Sequence, residues 1–383
     1  MKRVDVAIIG AGSAGRSVAH ALSANKKDVL LVALPGNPED YFRKLLSPSS
    51  ESLVPGNGFK THVATRLPQF IDKQTFLLDG EETQAAHFVI ASGCAPRVPA
   101  EFHGRPFTTP LNILTSPESK TKAIILGAGP VGVSTAAKLA KRGSKVTLIS
   151  NKARILSKEE PEIAAAVQTW LENLGVRIEL NSGRAPDGDI ILATGLRPHT
   201  DGMDLPKAGV YVAPDGRIVV NEDMRTPNNR IHAVGPVTGP FFSLAYEEYQ
   251  AELAAHNITA PFFNHRKLMA EAIPYIIPTD PPIVHLGLTE LEAKKRHRHK
   301  GILAVVVSSG DWRIKLVGRK KTTELLGAHL FAPAADAMVL YFDLLMRAAI
   351  PLREVTETHH YPSPGISTLA YEAVTAWLNA AGE

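Results

Sequence analysis

A glycine-rich turn between an apolar strand and a helix occurs twice in this chain, and it constrains the fold more than any other feature. The first copy lies between a predicted strand, Val4–Gly10, and a predicted helix, Arg16–Ser23; a second apolar run, Asp28–Val32, follows. The second copy lies between a strand at Lys122–Leu126 and an alanine-rich helix at Val131–Lys141. Each copy has the strand–turn–helix order that opens a doubly wound parallel sheet, so two such units are predicted.

The glycines of the first turn have separate roles. Gly10 allows the tight bend, Gly12 lets a diphosphate approach the backbone, and Gly15 lets the helix pack closely on the strand. The helix N-terminus then favours the negative charge of the phosphates. Glycine-rich turns also serve purely structural ends, but the surrounding strand, helix and second strand predict a dinucleotide site.

The second turn repeats this signature at Gly127, Gly129 and Gly132, in the same context. Two copies in one chain rarely arise by accident. The sequence therefore predicts a second dinucleotide site.

The residue that ends the second strand of each unit indicates which ribose is held, because an acid there accepts hydrogen bonds from the adenosine hydroxyls. This position is Ala33 in the first unit and Ser150 in the second, so neither unit has the acid. Lys152 and Arg154 follow Ser150 closely. Two cations without an acid favour NADPH over NADH at the second turn, with Ser150, Lys152 and Arg154 as binding residues; alternatively, both cations belong to a solvated loop.

Composition bounds the class of protein. Hydrophobic residues make up 44% and charged residues 21% of the chain, as in ordinary soluble proteins, and a net charge of +4 indicates no acidic partner. The longest uncharged stretch, Ala123–Ala137, is short for a membrane span and holds three glycines. The first residues run directly into a strand, with no room for a signal peptide. We expect a cytoplasmic protein that binds no membrane.

The C-terminal third has a different pattern. Three apolar runs, Ile302–Ser308, Arg313–Val317 and Leu325–Phe331, predict an antiparallel meander, and Ala334–Ala348 predicts a long apolar helix. The predicted fold class is α/β, with two Rossmann-type dinucleotide-binding domains and a C-terminal α+β domain. The predicted boundaries are 1–115 with 226–260 for the first domain, 116–225 for the second and 261–383 for the third.

Several further motifs accompany the glycine turns: Val89-Ile-Ala-Ser92-Gly93, Ile191-Leu-Ala-Thr-Gly195, Ile231-His-Ala-Val-Gly235, His285-Leu-Gly-Leu-Thr289-Glu290 and Leu326-Gly-Ala-His329. Together they resemble, in order and over nearly the whole chain, the flavoprotein disulfide reductases, such as glutathione reductase, dihydrolipoamide dehydrogenase and mercuric reductase. The resemblance implies a shortened FAD domain, an NAD(P) domain and a dimerisation domain at 261–383, hence a homodimer. It also implies that Ser92, Gly93, Gly195 and Gly235 contribute to the cofactor sites.

The chain departs from this family at the positions that carry its chemistry. The family's redox dithiol helix is replaced by the Pro/Ser/Gly-rich segment Leu34–Gly58, and the only cysteine, Cys94, excludes an internal dithiol. Pro236 stands where the family has an aspartate on the flavin's ribityl chain. Ser134 replaces a glutamate whose lysine partner lay in the missing helix, and Tyr361 replaces the histidine of the family's His-Pro motif.

Three other features have a functional and a plain structural interpretation. Cys94 is expected to act as a small apolar residue rather than a nucleophile. His359 and His360, just before Tyr361-Pro362, are expected to be solvated or packed rather than catalytic. The basic run from Lys294 to Lys300 follows a helix that begins near Thr289 and has no interleaved aromatic, so a solvated helix end is favoured over a nucleic-acid site.

Two functional hypotheses remain from different classes. In the first, the chain is an FAD-dependent NAD(P)H oxidoreductase that passes electrons from flavin directly to a small-molecule acceptor such as oxygen, a quinone or a metal ion. In the second, it is a non-catalytic dimeric scaffold or sensor that binds NAD(P). A role in nucleic-acid binding is a weaker third.

Overall fold

The chain folds into two compact units. A computed structural model describes residues 2–34, 59–115, 121–183, 188–239, 244–268, 273–298, 300–357 and 365–383. Unit 1 comprises Met1–Arg97 and Leu196–Met269, and unit 2 comprises Val98–Gly195 and Ala270–Glu383. Residues 35–58 and 358–364, which hold most of the Leu34–Gly58 segment together with His359, His360, Tyr361 and Pro362, lie outside the described residues. The three domain boundaries expected from the sequence stay a prediction.

Unit 1 is built on a seven-stranded sheet with the order β3-β2-β1-β6-β5-β4, and β13 pairs with β6 beside β5. The pairs β1–β2, β2–β3, β1–β6 and β6–β13 are parallel, and β4 and β5 are antiparallel. Its strands are β1 Lys2–Ile9, β2 Val29–Ala33, β3 Lys60–Val63, β4 Gln69–Phe70, β5 Thr75–Leu78, β6 Glu81–Ile90, β7 Cys94–Pro96, β12 Leu196–Pro198 and β13 Ile231–Ala233. Its helices are α1 Ser13–Ala24 and α5 Leu244–Thr259, with 3-10 turns at Leu205–Ala208, Gly235–Thr238 and Phe262–Asn264.

The first half of unit 2 is a four-stranded parallel sheet with the order β10-β9-β8-β11, the strand order of a Rossmann unit. Its strands are β8 Lys122–Leu126, β9 Lys145–Ile149, β10 Arg177–Glu179 and β11 Ile190–Leu192. Its helices are α2 Pro110–Thr115, α3 Pro130–Lys141 and α4 Pro161–Asn173, and a 3-10 turn lies at Ala100–Phe102.

The second half of unit 2 is a five-stranded antiparallel sheet with the order β14-β15-β18-β17-β16. Its strands are β14 Tyr275–Ile277, β15 Ile283–Gly287, β16 Ile302–Ser309, β17 Trp312–Arg319 and β18 Glu324–Phe331. Its helices are α6 Glu290–Arg296, α7 Ala335–Arg347, α8 Leu352–Thr356 and α9 Ile366–Ala381. The meander β16–β17–β18 confirms the prediction from the three apolar runs.

Burial explains why these segments form their elements. Strands β1 and β2 are almost wholly apolar at their centres and lie in the middle of a sheet, so both of their faces are covered, as in parallel sheets generally. In the antiparallel sheet, α7 and α9 pack their apolar sides against the strands, with Trp377 and Phe342 fully buried. Thr289 caps α6 through a reciprocal capping box with Glu292, which confirms a helix beginning there.

The fold class predicted from the sequence is confirmed, and the differences are local. Helix α1 begins at Ser13, three residues before the predicted start, because Gly12 already serves as its N-cap. Helix α9 and the short pair β7–β12 were not predicted. In the part of the chain that the structure describes, no helix is both long and apolar enough to cross a membrane.

His232 on β13 generates a prediction about stability. Its side chain is buried, and neither ring nitrogen has a hydrogen-bond partner among the described residues. Burial, aided by nearby His87, Arg225 and His265, lowers its pKa to about 3. The unfolded chain therefore takes up a proton on this histidine near pH 6.5, whereas the folded chain does so only near pH 3. The free energy of unfolding consequently falls as the pH drops from about 6.5 towards 3.

We expect His232→Leu to remove this contribution, which amounts to at most about 1.4 kcal/mol per pH unit within that window. Urea unfolding between pH 7.5 and 4.5 measures it, and His103→Leu at an exposed position is the control. If the free energy of unfolding of His232→Leu changed with pH as steeply as that of the wild type and the control, the lowered pKa of His232 would be contradicted.

Candidate functional site

The first glycine turn connects β1 to α1 at distances that exclude side chains. Gly10 has a φ of +114°, and a Cβ atom there would lie 2.1 Å from the carbonyl oxygen of Ala91. A Cβ atom at Gly15 would lie 1.9 Å from the carbonyl oxygen of Gly10. Gly12 is the N-cap of α1 and provides no side-chain hydrogen bond to the helix. The turn therefore holds a helix N-terminus without a side-chain cap directly behind the strand.

The second turn repeats this geometry in unit 2. Gly127 has a φ of +111°, and a Cβ atom there would lie 2.3 Å from the carbonyl oxygen of Ala193. A Cβ atom at Gly132 would lie 1.8 Å from the carbonyl oxygen of Gly127. By contrast, a Cβ atom at Gly129 would meet no atom of the part of the chain that the structure describes within 4 Å. Packing within the protein thus requires Gly127 and Gly132, whereas the space in front of Gly129 is open to a ligand.

The candidate ribose-binding residues that follow the second glycine turn differ in whether their side chains are free to contact a ligand. Ser150 is buried, and its hydroxyl accepts a hydrogen bond from the Lys152 backbone N–H at 3.1 Å. The Lys152 side chain is exposed. The Arg154 guanidinium instead donates to the carbonyl oxygens of Ser157 at 2.8 Å and Glu159 at 3.0 Å, while its buried Nη1 has no hydrogen-bond partner within the described ranges. Of the two cations, Lys152 thus has the more exposed side chain.

Ser92 and Gly93 lie where β6 leads into the β7–β12 pair. The Ser92 hydroxyl donates to the carbonyl oxygen of His199 at 2.6 Å, and the Gly93 carbonyl oxygen accepts from the His199 N–H at 3.0 Å. Gly93 has a φ of +71°. These two residues thus fix the crossing of two chain segments within unit 1. In unit 2, Gly195 has a φ of +105°, and a Cβ atom there would meet nothing within 4 Å.

Gly235 lies beside the first glycine turn. Its φ is +77°, a Cβ atom there would lie 3.1 Å from the Cβ atom of Ala14, and its N–H donates to Gln250 Oε1 at 2.7 Å. Pro236 follows inside a 3-10 turn, where it offers neither a carboxylate nor a backbone N–H. The structure therefore brings Gly235 and the first turn together.

Sequence reasoning missed Glu247, a buried carboxylate beside the first turn. It lies on α5 and accepts a hydrogen bond from the Ser13 hydroxyl at 2.5 Å. A Cβ atom at Gly235 would lie 3.9 Å from its Cγ atom. The two partners are 234 positions apart in sequence, and no local motif indicates such a contact.

Cys94 lies on β7. Burial, with a contribution from Glu247, raises the pKa of its thiol to about 12. The thiol is therefore protonated at neutral pH, as expected for a small apolar residue rather than for a nucleophile.

Ser134, which stands in place of a family glutamate, is fully buried and donates to the carbonyl oxygen of Pro278 at 2.9 Å. Within the described residues, no cluster of His, Cys, Asp and Glu has metal-binding geometry.

Known proteins resemble this chain along most of its length. A mercuric reductase of Bacillus cereus is 26% identical over 372 residues, which cover 88% of this chain and 58% of that protein. A mercuric reductase of Streptomyces lividans is 30% identical over 317 residues, or 72% of this chain and 65% of that protein. A dihydrolipoyl dehydrogenase of Geobacillus stearothermophilus is 27% identical over 380 residues, or 88% and 78%. The chain thus spans less than two thirds of the length of these mercuric reductases.

Solved structures show the same fold. The Cu(II) complex of HOCl-induced flavoprotein disulfide reductase RclA from Escherichia coli aligns with a TM-score of 0.82 and 19% identity, over 99% of this chain and 100% of that chain. A family profile described as pyridine nucleotide-disulphide oxidoreductase matches residues 4–257, and the dimerisation domain of the same family matches residues 273–370. Because the first profile alone matches more than half of the chain, this protein belongs to the pyridine nucleotide-disulphide oxidoreductase family.

Proposed function

We propose that this chain is an FAD-dependent NAD(P)H oxidoreductase that works without a redox-active disulfide and passes electrons from flavin to a small acceptor. One observation carries the proposal: both glycine turns keep a ligand-ready geometry, while the only cysteine of the sequence is half-buried and has a raised pKa. The family depends on FAD and NAD(P), and this dependence needs the turns but not the thiols.

The residues at both turns fit a dinucleotide diphosphate. No described side chain caps α1 or α3, so backbone N–H groups at each N-terminus are available to an anion. The open space in front of Gly129 is where a phosphate approaches the backbone. At the second turn, exposed Lys152 can neutralise an adenosine 2′-phosphate, and no acid stands at Ser150 to repel it. These features favour NADPH over NADH.

The chain's own residues would bind and orient the cofactors rather than react. Bound nicotinamide and flavin supply the hydride and electron transfer. The N-terminus of α1 would hold one diphosphate and that of α3 would hold the other. Ser92 and Gly93 hold the β7–β12 crossing in place through His199. Cys94, as a neutral thiol, would neither attack nor carry electrons, and bound flavin would supply electrons to the acceptor.

A non-catalytic NAD(P)-binding scaffold remains the second candidate. The replacement of the family's functional residues at Ala33, Ser134 and Pro236 favours it. Ser134 in particular is satisfied by a backbone carbonyl and needs no partner charge. This candidate predicts NADPH binding without NADPH oxidation by any acceptor, whereas steady NADPH oxidation above the free-flavin background supports the oxidoreductase.

Replacing the second glycine of each turn tests the binding of the two dinucleotides independently. Gly129 has a φ of −78° and Gly12 a φ of −70°, so alanine is allowed by the backbone at both positions. The added methyl group at Gly129 enters the space of the phosphate, and we expect the Kd for NADPH to rise roughly tenfold to a hundredfold.

Each variant serves as the control for the other. Gly129→Ala should keep its FAD, measured by absorbance near the flavin band, and Gly12→Ala should lose FAD while it retains NADPH. A wild-type protein that is colourless and takes up no FAD would contradict the proposed function. Equal losses of both cofactors in either variant would indicate misfolding rather than a binding defect.

Cys94 should be dispensable. Because its pKa is raised to about 12, we expect a thiol reagent at pH 7.5 to label it at least roughly a hundredfold more slowly in the native protein than in urea. Cys94→Ala should oxidise NADPH at a rate within about twofold of the wild type. Loss of turnover in a folded Cys94→Ala variant that still contains FAD would show that the thiol takes part in electron transfer.

The family's dimerisation domain, which matches residues 273–370, supports a homodimer. Leu340 and Leu344 lie one turn apart on α7 and are 73% and 59% exposed. We propose that they belong to the dimer contact, because such neighbouring exposed leucines indicate a surface that another protein covers.

Leu340→Glu should therefore shift the molar mass in light scattering from dimer towards monomer. Val63→Glu, at a position 74% exposed in unit 1, should leave it unchanged. A persistent dimer in Leu340→Glu would exclude this face.

A further inference from the structure

The segment Arg154–Glu160 forms a tight turn against the second glycine turn. The N–H of Leu156 donates to the carbonyl oxygen of Ala128 at 2.8 Å. Leu156 has a φ of +44°, a left-handed conformation that costs a non-glycine residue about 1 kcal/mol or more. Ile155 and Leu156 are both buried. The surroundings of this segment must therefore hold it in place.

Arg154 braces the segment from within. Its guanidinium donates to two carbonyl oxygens of the same turn, those of Ser157 and Glu159. The Glu159 N–H in turn donates to the carbonyl oxygen of Leu156 at 2.8 Å. Because these bonds share their residues, a displacement of Glu159 is passed to Leu156 and then to the glycine turn.

The far end of the segment is held by charges from the antiparallel half of unit 2. Glu159 Oε2 lies 2.7 Å from His285 Nδ1 on β15. Glu160 Oε2 lies 2.8 Å from Lys315 Nζ on β17, and the two side chains are 3% and 2% exposed. Glu160 Oε1 also accepts a hydrogen bond from the Glu290 N–H. A buried pair with this geometry is costly to break from one side, because the remaining charge stays buried.

His285 has an acceptor at each ring nitrogen. Its Nε2 lies 3.0 Å from the carbonyl oxygen of Gly287, and its Nδ1 faces the Glu159 carboxylate. Neither partner can donate, so both ring nitrogens must carry protons for both bonds to form. With Glu159 ionised, both bonds are therefore present only while the ring is an imidazolium.

Several groups surround this imidazolium. Burial opposes its charge, but the hydrogen bond and charge of Glu159, the Gly287 carbonyl and Glu292 outweigh burial and raise the pKa of His285. His329 on β18 meets it edge to face at 4.6 Å, and burial lowers the pKa of His329, so that ring is neutral. Tyr275 on β14 stands opposite His285 in register, and burial raises its pKa, so its hydroxyl is neutral too. Glu159 is thus the closest charge that faces the ring.

We propose that the Glu159–His285 pair is a positioning element for the dinucleotide site at the second glycine turn: it holds the Arg154–Glu160 segment in the conformation that binds the dinucleotide. This inference rests on the proposed function, because it assigns a new determinant of NADPH affinity. His285 does not touch the nucleotide. It acts through Glu159, the Leu156 N–H and the Ala128 carbonyl, in that order.

The pair makes NADPH affinity depend on pH. A raised folded-state pKa means that the ion pair is complete below about pH 6.5 and is lost as the pH rises through the pKa of His285 in the folded protein. Once His285 is neutral, one of its two hydrogen bonds is lost and the segment loosens. NADPH affinity is therefore highest at the acid end of the range and falls as the pH rises.

The test measures the Kd for NADPH between pH 6 and 9 by titration calorimetry on the 383-residue chain. In His285→Gln and Glu159→Gln we expect the Kd at pH 6.5 to rise on the order of fivefold to tenfold and to lose the pH dependence of the wild type. His62→Gln is the matched control, since His62 Nε2 lies 2.8 Å from Asp79 Oδ2 in an exposed pair of unit 1. It should leave both the Kd and its pH dependence unchanged.

Hydrogen exchange of the Leu156 amide provides a readout that does not need the nucleotide. Exchange in the ligand-free protein should be faster in His285→Gln than in the wild type and in His62→Gln. Unchanged exchange, or a wild type that binds NADPH with the same affinity and pH profile as His285→Gln, overturns the inference and leaves the proposed function intact. A wild type that binds no dinucleotide overturns both, and unchanged affinity for FAD identifies an effect confined to unit 2.

Discussion

The close packing of a helix start against a strand is the contact on which the rest of this structure depends. At both turns the carbonyl oxygen of the first glycine would lie within 2 Å of a Cβ atom on the last, at 1.9 Å for Gly15 and 1.8 Å for Gly132. No residue other than glycine fits such a distance. The contact places the N-termini of α1 and α3 at the carboxyl ends of the parallel strands, where parallel sheets bind their ligands.

Local patterns explain why much of this fold was predictable. A strand, a glycine turn and a helix are adjacent in sequence, so Lys122–Leu126 was predicted with the bounds that the structure shows, and the meander β16–β17–β18 followed from three apolar runs. The pair β7–β12 was missed because each strand has three residues and its partner lies about a hundred positions away. A strand this short has no periodicity to detect.

The candidate site was predictable at its backbone and less so at its side chains. Glycines reveal their role through conformation, which is local. Arg154 is a predicted nucleotide-binding residue, and nothing in the sequence indicates that its guanidinium donates to carbonyl oxygens three and five positions ahead. The partner of Glu247 lies 234 positions away. Tertiary contacts of this kind decide which charges face a ligand, and the spacing of residues in the sequence does not predict them.

At Ser134 the departure from the family's pattern leaves no charge that would need a partner. Ser134 fills the place of a charged family residue with a hydroxyl that finds a carbonyl acceptor, so no lysine is needed opposite it. Unit 2 keeps buried charge elsewhere: Lys315 contacts the carboxylates of Glu160, Glu162 and Glu290. The antiparallel half contributes the lysine, and the parallel half contributes two of the three acids. Of this cluster only Lys315 and Glu160 are fully buried, and neither half could bury its own member of that pair without the other.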